Sequence, residues 1–285
     1  MTTKKYIDFH THTYYSDGIG TPEMSVRMAR IKGLDFVAIT DHDKTDGYEE
    51  ALIAGKEWGI KVIPGVEVST DVYHILGLGV NPENPELIKF LEKSNSEQRN
   101  VCIARINYLQ SKGVPITLEK VVRTCPVSRL GKFNILYTML RDSDCRDFFV
   151  RQEGRKLTKK LYEKYLRNQD GKEEVVDKNT SITAPEAIKQ IHNAGGIAII
   201  AHPFKEVKEL SELDRLIEAG LDGLEIQPGF NGENDMARKY AAEHNLPLTY
   251  GSDYHGGLFG RQMLEMDGDN ILDERIARAL RIGGN

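Results

Sequence analysis

From its N-terminus the chain alternates short apolar runs with longer segments of helical period. "YIDFHT" (6–11) predicts a strand. "TPEMSVRMARIKG" (21–33) predicts a helix with Thr21 at the N-cap, Pro22 at the first helical position and Gly33 past its end. "FVAITDHD", "KVIPGVEVS" and "YHILGLGV" read as further strands, with "YEEALIAGKEWG" a helix between the first two of them. From about residue 84 to 180 the rhythm lapses into mostly helical patterns, with breaks at Gly113–Pro115 and Gly171. It then resumes. "TAPEAIKQIHNAGG" predicts a helix and "IAIIAHP" a strand; "LSELDRLIEAG", "LDGLEIQ", "ENDMARKYAAEHN" and "LPLTYGSDYH" follow as helix, strand, helix and strand, and a last helix covers about residues 273–282.

Repeated β–α units with short apolar strands predict an α/β fold whose strands are expected to be parallel. The polar residues choose between a barrel and a doubly wound sheet. His10 and His12, Asp41 and His42, Glu67, His202, Asp253 and His255 fall at the C-terminal ends of one strand after another. Delivery of polar groups from many strands to one end is how a barrel builds a site, whereas a doubly wound sheet concentrates them at one crevice. The expected architecture is a (β/α) barrel in two parts, residues 1–95 and 181–285, separated by a helical insertion, a lid, over residues 96–180.

Composition adds boundaries. With 285 residues, 40% of them hydrophobic and 28% charged, the chain can bury a real core. Its longest apolar run, "GGIAIIA", is strand-sized and far short of a membrane span. The opening "MTTKKYIDF" lacks the apolar stretch of a secretory signal, so a cytoplasmic location is expected. Cys102, Cys125 and Cys145 are odd in number and show no C-x-x-C spacing, which fits reduced structural thiols. The net charge of −5 conceals an asymmetry: residues 96–180 hold 18 basic and 11 acidic residues, a net of +7, and the remainder carries −12. An acidic body suits cations and a basic segment suits an anion, although runs such as "GRKLTKKLYEKYLRNQ" read mainly as solvated helix faces.

His10 and His12, two residues apart on a strand, project to the same face and can reach one ion. Mixed histidine and carboxylate ligands suit zinc, manganese or iron. "SDG" follows this pair, "TDHD" ends the second strand, "GVEVS" the third, "AHP" a later one and "GSDYH" the last. Six of the eight histidines belong to such stretches, and His192 and His244 lie on predicted helices as ordinary packing or surface residues. Nine potential ligands exceed the needs of one ion and point to two or three divalent metals. Neither a Ser or Cys nucleophile motif nor a dense aromatic and basic platform for single-stranded nucleic acid competes with this reading.

The ordered set "DFHTHT", "SDG", "ITDHD", "GVEVS…HILGLG", "AHP" and "GSDYH", spanning residues 8 to 255, resembles the PHP (polymerase and histidinol phosphatase) family of metal-dependent phosphoesterases. The resemblance implies a distorted (β/α)7 barrel with two or three Mn, Fe or Zn ions at its strand ends. Carried over motif by motif, one ion is assigned to His10, His12, Glu67 and Asp253. A second shares Glu67 and takes His74 and His202, and a third takes Asp17, His42 and His255. Such ions lower the pKa of a bound water from 15.7 toward roughly 7, which supplies a hydroxide for attack on phosphorus. His202 or His255 is then a candidate to protonate the leaving alkoxide. Asp41 reads as a support for the ligands, Asp43 and Asp46 as helix caps, and Glu225 receives no ligand role.

Within the family, the aspartate of "SDG" and the helical insertion resemble a branch acting on nucleoside 3',5'-bisphosphates and related nucleotides, some members of which trim short RNA 5' ends. That branch carries an R-P-H turn in a basic lid. Here the matching "VSRLGKFN" keeps Arg129 but lacks the Pro and His, and Lys132 is the candidate replacement contact. The implied partner is a small phosphorylated substrate, a nucleotide or short single-stranded RNA, with no membrane and no obligate protein partner. Histidinol-phosphate phosphatase is the alternative that "SDG" and the insertion disfavour. A non-catalytic PHP module is disfavoured by the complete ligand set.

Overall fold

The computed structural model describes residues 4–168, 174–176, 180–257, 262–264 and 269–282. The chain divides into two compact units, one formed by Met1–Ser94 with Ser181–Asn285, the other by Asn95–Thr180.

The first unit is built on seven strands that pair in sequence order: β1 (Ile7–Asp8), β2 (Phe36–Ile39), β3 (Lys61–Ser69), β4 (His74–Leu78), β5 (Ile197–Ile200), β6 (Gly223–Ile226) and β7 (Leu248–Tyr250). Backbone bonds bring the two ends of the sheet together. Phe9 N–H donates to Tyr250 O at 2.8 Å, His12 N–H to Tyr254 O at 2.7 Å and Tyr254 N–H to His10 O at 3.3 Å. The result is a nearly closed barrel.

The expectation of parallel strands fails at one position. β4 runs antiparallel to both β3 and β5, while the other neighbours are parallel. Its cause is the connection: four residues separate Ser69 from His74, far fewer than the dozen or more that a parallel crossover needs. Thr70 and Tyr73 close the turn, with Thr70 N–H donating to Tyr73 O at 3.0 Å and the Thr70 hydroxyl to the same oxygen at 2.6 Å. Because β4 is reversed, its first residue, His74, lies at the same rim as the last residues of the parallel strands.

Inside the barrel Ile7, Phe9, Ala38, Ile63, Leu76 and Ile199 pack together, all buried. Outside it, helices α1 (Pro22–Ile31) and α2 (Tyr48–Trp58) cover β2 and β3. The other flank packs α8 (Ala184–Asn193), α10 (Leu210–Glu218) and α11 (Asn231–Glu243) against β4 to β6. α8 shows how sequence produces this packing: Ala184, Ala187, Ile188 and Ile191 recur at helical spacing and are its buried face. Thr183 caps its start by accepting from Glu186 N–H. Two short helices, α9 (Pro203–Glu206) and α12 (Glu274–Ala279), also belong to this unit.

α3 (Pro85–Ser111) runs from the first unit into the second, which continues with α4 (Leu118–Thr124), α5 (Lys132–Arg141), α6 (Ser143–Glu153) and α7 (Lys159–Leu166). Ile135, Met139, Phe149, Leu161 and Tyr162 are among its buried side chains. Its three cysteines are buried and unbridged. Burial pushes the Cys102 thiol up to about 11 and the Cys145 thiol up to about 12, so both stay protonated and unreactive near neutrality. The longest helix is too polar to cross a bilayer: among the described residues no helix is long and apolar enough.

Leu76 fills the barrel interior without exposure, so Leu76→Ala is expected to cost about 2–5 kcal/mol through lost burial and a cavity. Ile53→Ala, at a site 61% exposed on α2, is expected to change stability by less than about 0.5 kcal/mol. Chemical denaturation of the two variants checks the contrast.

Candidate metal centre

At the rim of the barrel the strand ends deliver their polar residues into one buried cluster. Four donor atoms crowd together first. His10 Nε2 lies 3.0 Å from His12 Nε2, 3.1 Å from Glu67 Oε2 and 3.6 Å from Asp253 Oδ1. His12 Nε2 lies 3.1 Å from Glu67 Oε2 and 3.2 Å from Asp253 Oδ1. Ligands at the usual 2.0–2.2 Å around a tetrahedral ion stand roughly 3.3–3.6 Å apart, close to the spacing seen here.

The cluster extends to either side of that set. His202 Nε2 lies 3.3 Å from Glu67 Oε1, and His74 Nδ1 is 4.0 Å from the same oxygen. On the other side, Asp17 Oδ1 lies 3.2 Å from His255 Nε2 and Asp17 Oδ2 lies 3.8 Å from His42 Nε2. His42 Nδ1 returns to Glu67 Oε2 at 3.2 Å. Four triplets of donor atoms converge tightly enough for an ion: His10–His12–Glu67, His12–Asp253–His255, His12–Asp17–His42 and Glu67–His74–His202. All nine residues singled out from the sequence therefore come together. His12 stands in three of the triplets.

Charge and burial explain what the cluster demands. Glu67 is 1% exposed, and neither of its oxygens has a directional hydrogen bond among the described residues. Burial opposes its negative charge, yet the imidazoles of His42 and His10 outweigh that penalty and hold the carboxyl well below its ordinary range. Asp17 behaves likewise: burial raises it, and His255 and His42 hold it well below its usual value. His10 feels the reciprocal pull. Burial opposes its charge, but Glu225 and Glu67 raise it to about 10. His202 and His255 are instead pushed down by burial, which keeps them neutral with a lone pair to offer. Buried, ionised carboxylates beside the neutral imidazoles of His202 and His255 fit a divalent cation, which supplies the positive charge that Glu67 and Asp17 otherwise draw from neighbouring histidines.

Other acids position these candidate ligands. Asp41 accepts from Thr13 N–H at 2.8 Å, the Thr13 hydroxyl at 2.5 Å and the Ser16 hydroxyl at 2.5 Å, which fixes the loop that presents Asp17. Asp8 accepts from Ser252 N–H and Leu264 N–H, each at 3.0 Å, and ties β1 to the segment carrying Asp253. Asp43 does not cap a helix: it sits at φ 50° and accepts from Ser69 N–H at 2.8 Å, while Gly47 precedes α2. His202 (φ 31°) and Asp253 (φ 56°) share this left-handed conformation, so three of the five non-glycine residues with positive φ among those described lie at the cluster.

Two further carboxylates brace the cluster: Glu225, which the sequence placed on a strand without a ligand role, and Glu206, which it did not single out. Glu225 on β6 accepts from His10 Nδ1–H at 2.7 Å and from His202 N–H at 2.7 Å. Glu206 on α9 lies 3.0 Å from His74 Nδ1 and accepts His74 N–H at 3.0 Å. A lone acid within the buried strand "GLEI" was a usable signal for the first; nothing in the sequence pairs Glu206 with His74. His192, bonded to Asp222 at 2.7 Å, and His244, stacked on Tyr240, lie outside the cluster. In the helical unit, Arg129 is buried and Lys132, at the start of α5, forms an ion pair with Glu174.

A barrel rim with buried donor clusters of this kind suits a metal-dependent hydrolase. The PHP domain model matches residues 8–120. A 5'-3' exoribonuclease of Haemophilus influenzae is 31% identical over 265 residues, covering 89% of this chain and 90% of that protein. A 3',5'-nucleoside bisphosphate phosphatase of Chromobacterium violaceum is 30% identical over 262 residues, with 87% of each chain covered. Among solved structures, a protein of Bifidobacterium adolescentis assigned as a metal-dependent phosphoesterase superposes with a TM-score of 0.76 at 27% identity, covering 98% of this chain and 96% of that one. The chain belongs to the PHP family.

Because His12 enters three of the four triplets, His12→Ala is expected to lower manganese bound per chain more than His74→Ala, which enters one. His192→Ala is expected to leave it unchanged. Equilibrium dialysis followed by elemental analysis of each variant provides the measurement.

Proposed function

We propose that the protein hydrolyses a phosphomonoester of a small nucleotide, a nucleoside 3',5'-bisphosphate or monophosphate, and accepts the 5' ends of short RNA as longer substrates. The observation that carries this reading is Asp17. Its carboxylate reaches His255 and His42, extending the His10–His12–Glu67–Asp253 set toward a further cation. The similarity to a bisphosphate phosphatase and to an exoribonuclease supports the same substrate class.

When bound, the divalent ions supply an activated water and positive charge for the phosphate oxygens. The residues divide the remaining work. Glu67 faces ligands on two sides and keeps its charge at neutral pH. His10, His12 and Asp253 complete one donor set, His74 and His202 a second with Glu67, and Asp17, His42 and His255 a third. The lowered pKa values of His202 and His255 suit them as neutral ligands better than as proton donors. From the helical unit, the reading assigns Arg129 to substrate phosphate. Lys132 is the weaker assignment, because Glu174 already pairs with it.

Phosphate release by manganese-loaded protein tests this on nucleoside 3',5'-bisphosphates, monophosphates, a 5'-phosphorylated oligoribonucleotide, a cyclic phosphodiester and histidinol phosphate. The expected order of kcat/KM places the bisphosphates first. A strong preference for histidinol phosphate or for the cyclic diester would overturn the reading. His10→Ala is expected to lower kcat by more than about 100-fold, since loss of a mere support for a ligand already costs 10–100-fold. Arg129→Ala is expected to raise KM while largely preserving kcat, as measured by steady-state kinetics.

A further inference from the structure

We infer that Glu225 is a positioning residue that couples two parts of the metal centre, and that Gly251 supplies the clearance this coupling requires. The inference rests on the reading of the cluster as a metal site.

Glu225 projects from β6, is fully buried and spends its two oxygens on different ligands. Oε1 accepts from His10 Nδ1–H at 2.7 Å. With the Nδ1 proton held by Glu225, Nε2 is the ring atom left for a metal, and it faces Glu67, His12 and Asp253. Oε2 accepts the backbone N–H of His202 at 2.7 Å. That residue lies just past the end of β5 and adopts φ 31°, where the regular ladder no longer serves its N–H. The Glu225 bond holds this left-handed turn, and the turn aims His202 Nε2 at Glu67 Oε1. One carboxylate thus braces a ligand from the β1 end and a ligand from the β5 end, which meet different oxygens of Glu67.

Gly251, the residue after β7, lies against this brace. A Cβ there would stand 2.1 Å from Glu225 Oε1 and 2.3 Å from His10 Cβ. Its φ is not in the left-handed region, so the requirement for glycine is spatial rather than conformational. Both side chains of the His10–Glu225 pair are fully shielded from water, which strengthens a hydrogen bond between buried groups. An alanine at position 251 displaces the carboxylate without removing it. The two residues therefore give independent access to one interaction.

Metal-stripped wild type, Glu225→Gln, Glu225→Ala and Gly251→Ala are titrated with manganese under equilibrium dialysis, and with cobalt(II) followed by visible absorption. The metal-free melting temperature of each reports global stability separately. Glu225→Ala and Gly251→Ala are expected to lower metal affinity about 10–100-fold, with loss of ions from both the His10 and His202 sides and a changed cobalt spectrum. Glu225→Gln keeps one acceptor and turns an amide N–H toward the other donor, so its expected loss is smaller but measurable. If Glu225→Ala does not fold, Glu225→Gln and Gly251→Ala carry the comparison. Wild-type affinity, stoichiometry and cobalt spectrum in folded variants would overturn the coupling while leaving the metal centre intact. A wild type that binds no metal would overturn the metal-centre reading and the coupling with it.

Discussion

A carboxylate removed from water needs compensating charge, and Glu67 sets that requirement at the centre of the barrel rim. Its oxygens lie within 3.1–3.3 Å of nitrogens from His10, His12, His42 and His202. Those four imidazoles come from the ends of three different strands, so the group exists only when the barrel is assembled. The barrel's interior is apolar below this point, which lowers the local dielectric and makes each ionic contact more consequential. Fold and site are two aspects of one packing solution.

A set of less conspicuous acids makes the solution stable. Burial pushes Asp8 and Asp41 upward, and each is offset by donors converging on it from hydroxyls and backbone N–H groups. These acids tie segments together across the closure of the barrel, as Asp8 does with Ser252, or pin a loop, as Asp41 does with Thr13 and Ser16. Left-handed backbone at Asp43, His202 and Asp253 shows where the chain leaves its relaxed path to aim side chains inward. Such conformations persist because the surrounding hydrogen bonds over-determine them.

Much of this was legible in the sequence because strand period and chemistry coincide. The alternation of apolar runs with helices located the seven strands, and "DFHTHT", "GVEVS" and "GSDYH" placed candidate ligands where strands end. The strand direction of β4 was misread because apolar content says nothing about polarity of the chain; the four-residue link "TDVY" did say it, through its length. His74 became comprehensible only with that reversal, since it begins its strand rather than ending it. The bracing role of Glu225, and Glu206 altogether, escaped because their partners are distant or unmotivated in sequence: Glu225 meets a histidine 215 positions away. Pairings of that kind are set by the closed sheet, not by local pattern.

The entire helical unit enters the chain within one connection, between β4 and β5, and these two strands are neighbours in the sheet. Ile75 must therefore find Ile200, and Leu78 must find Ile197, across that whole intervening length. Loop-closure entropy grows only logarithmically, so doubling such a connection costs about 0.6 kcal/mol. The burden falls on kinetics instead, because long-range pairings must be closed before they are rewarded. β3 with β4 can form early as a local hairpin that already joins Glu67 to His74, whereas the β5 side awaits docking of a remote segment. The same arrangement lets the connecting helices lengthen, shorten or change their chemistry over evolutionary time at little thermodynamic expense to the barrel they interrupt.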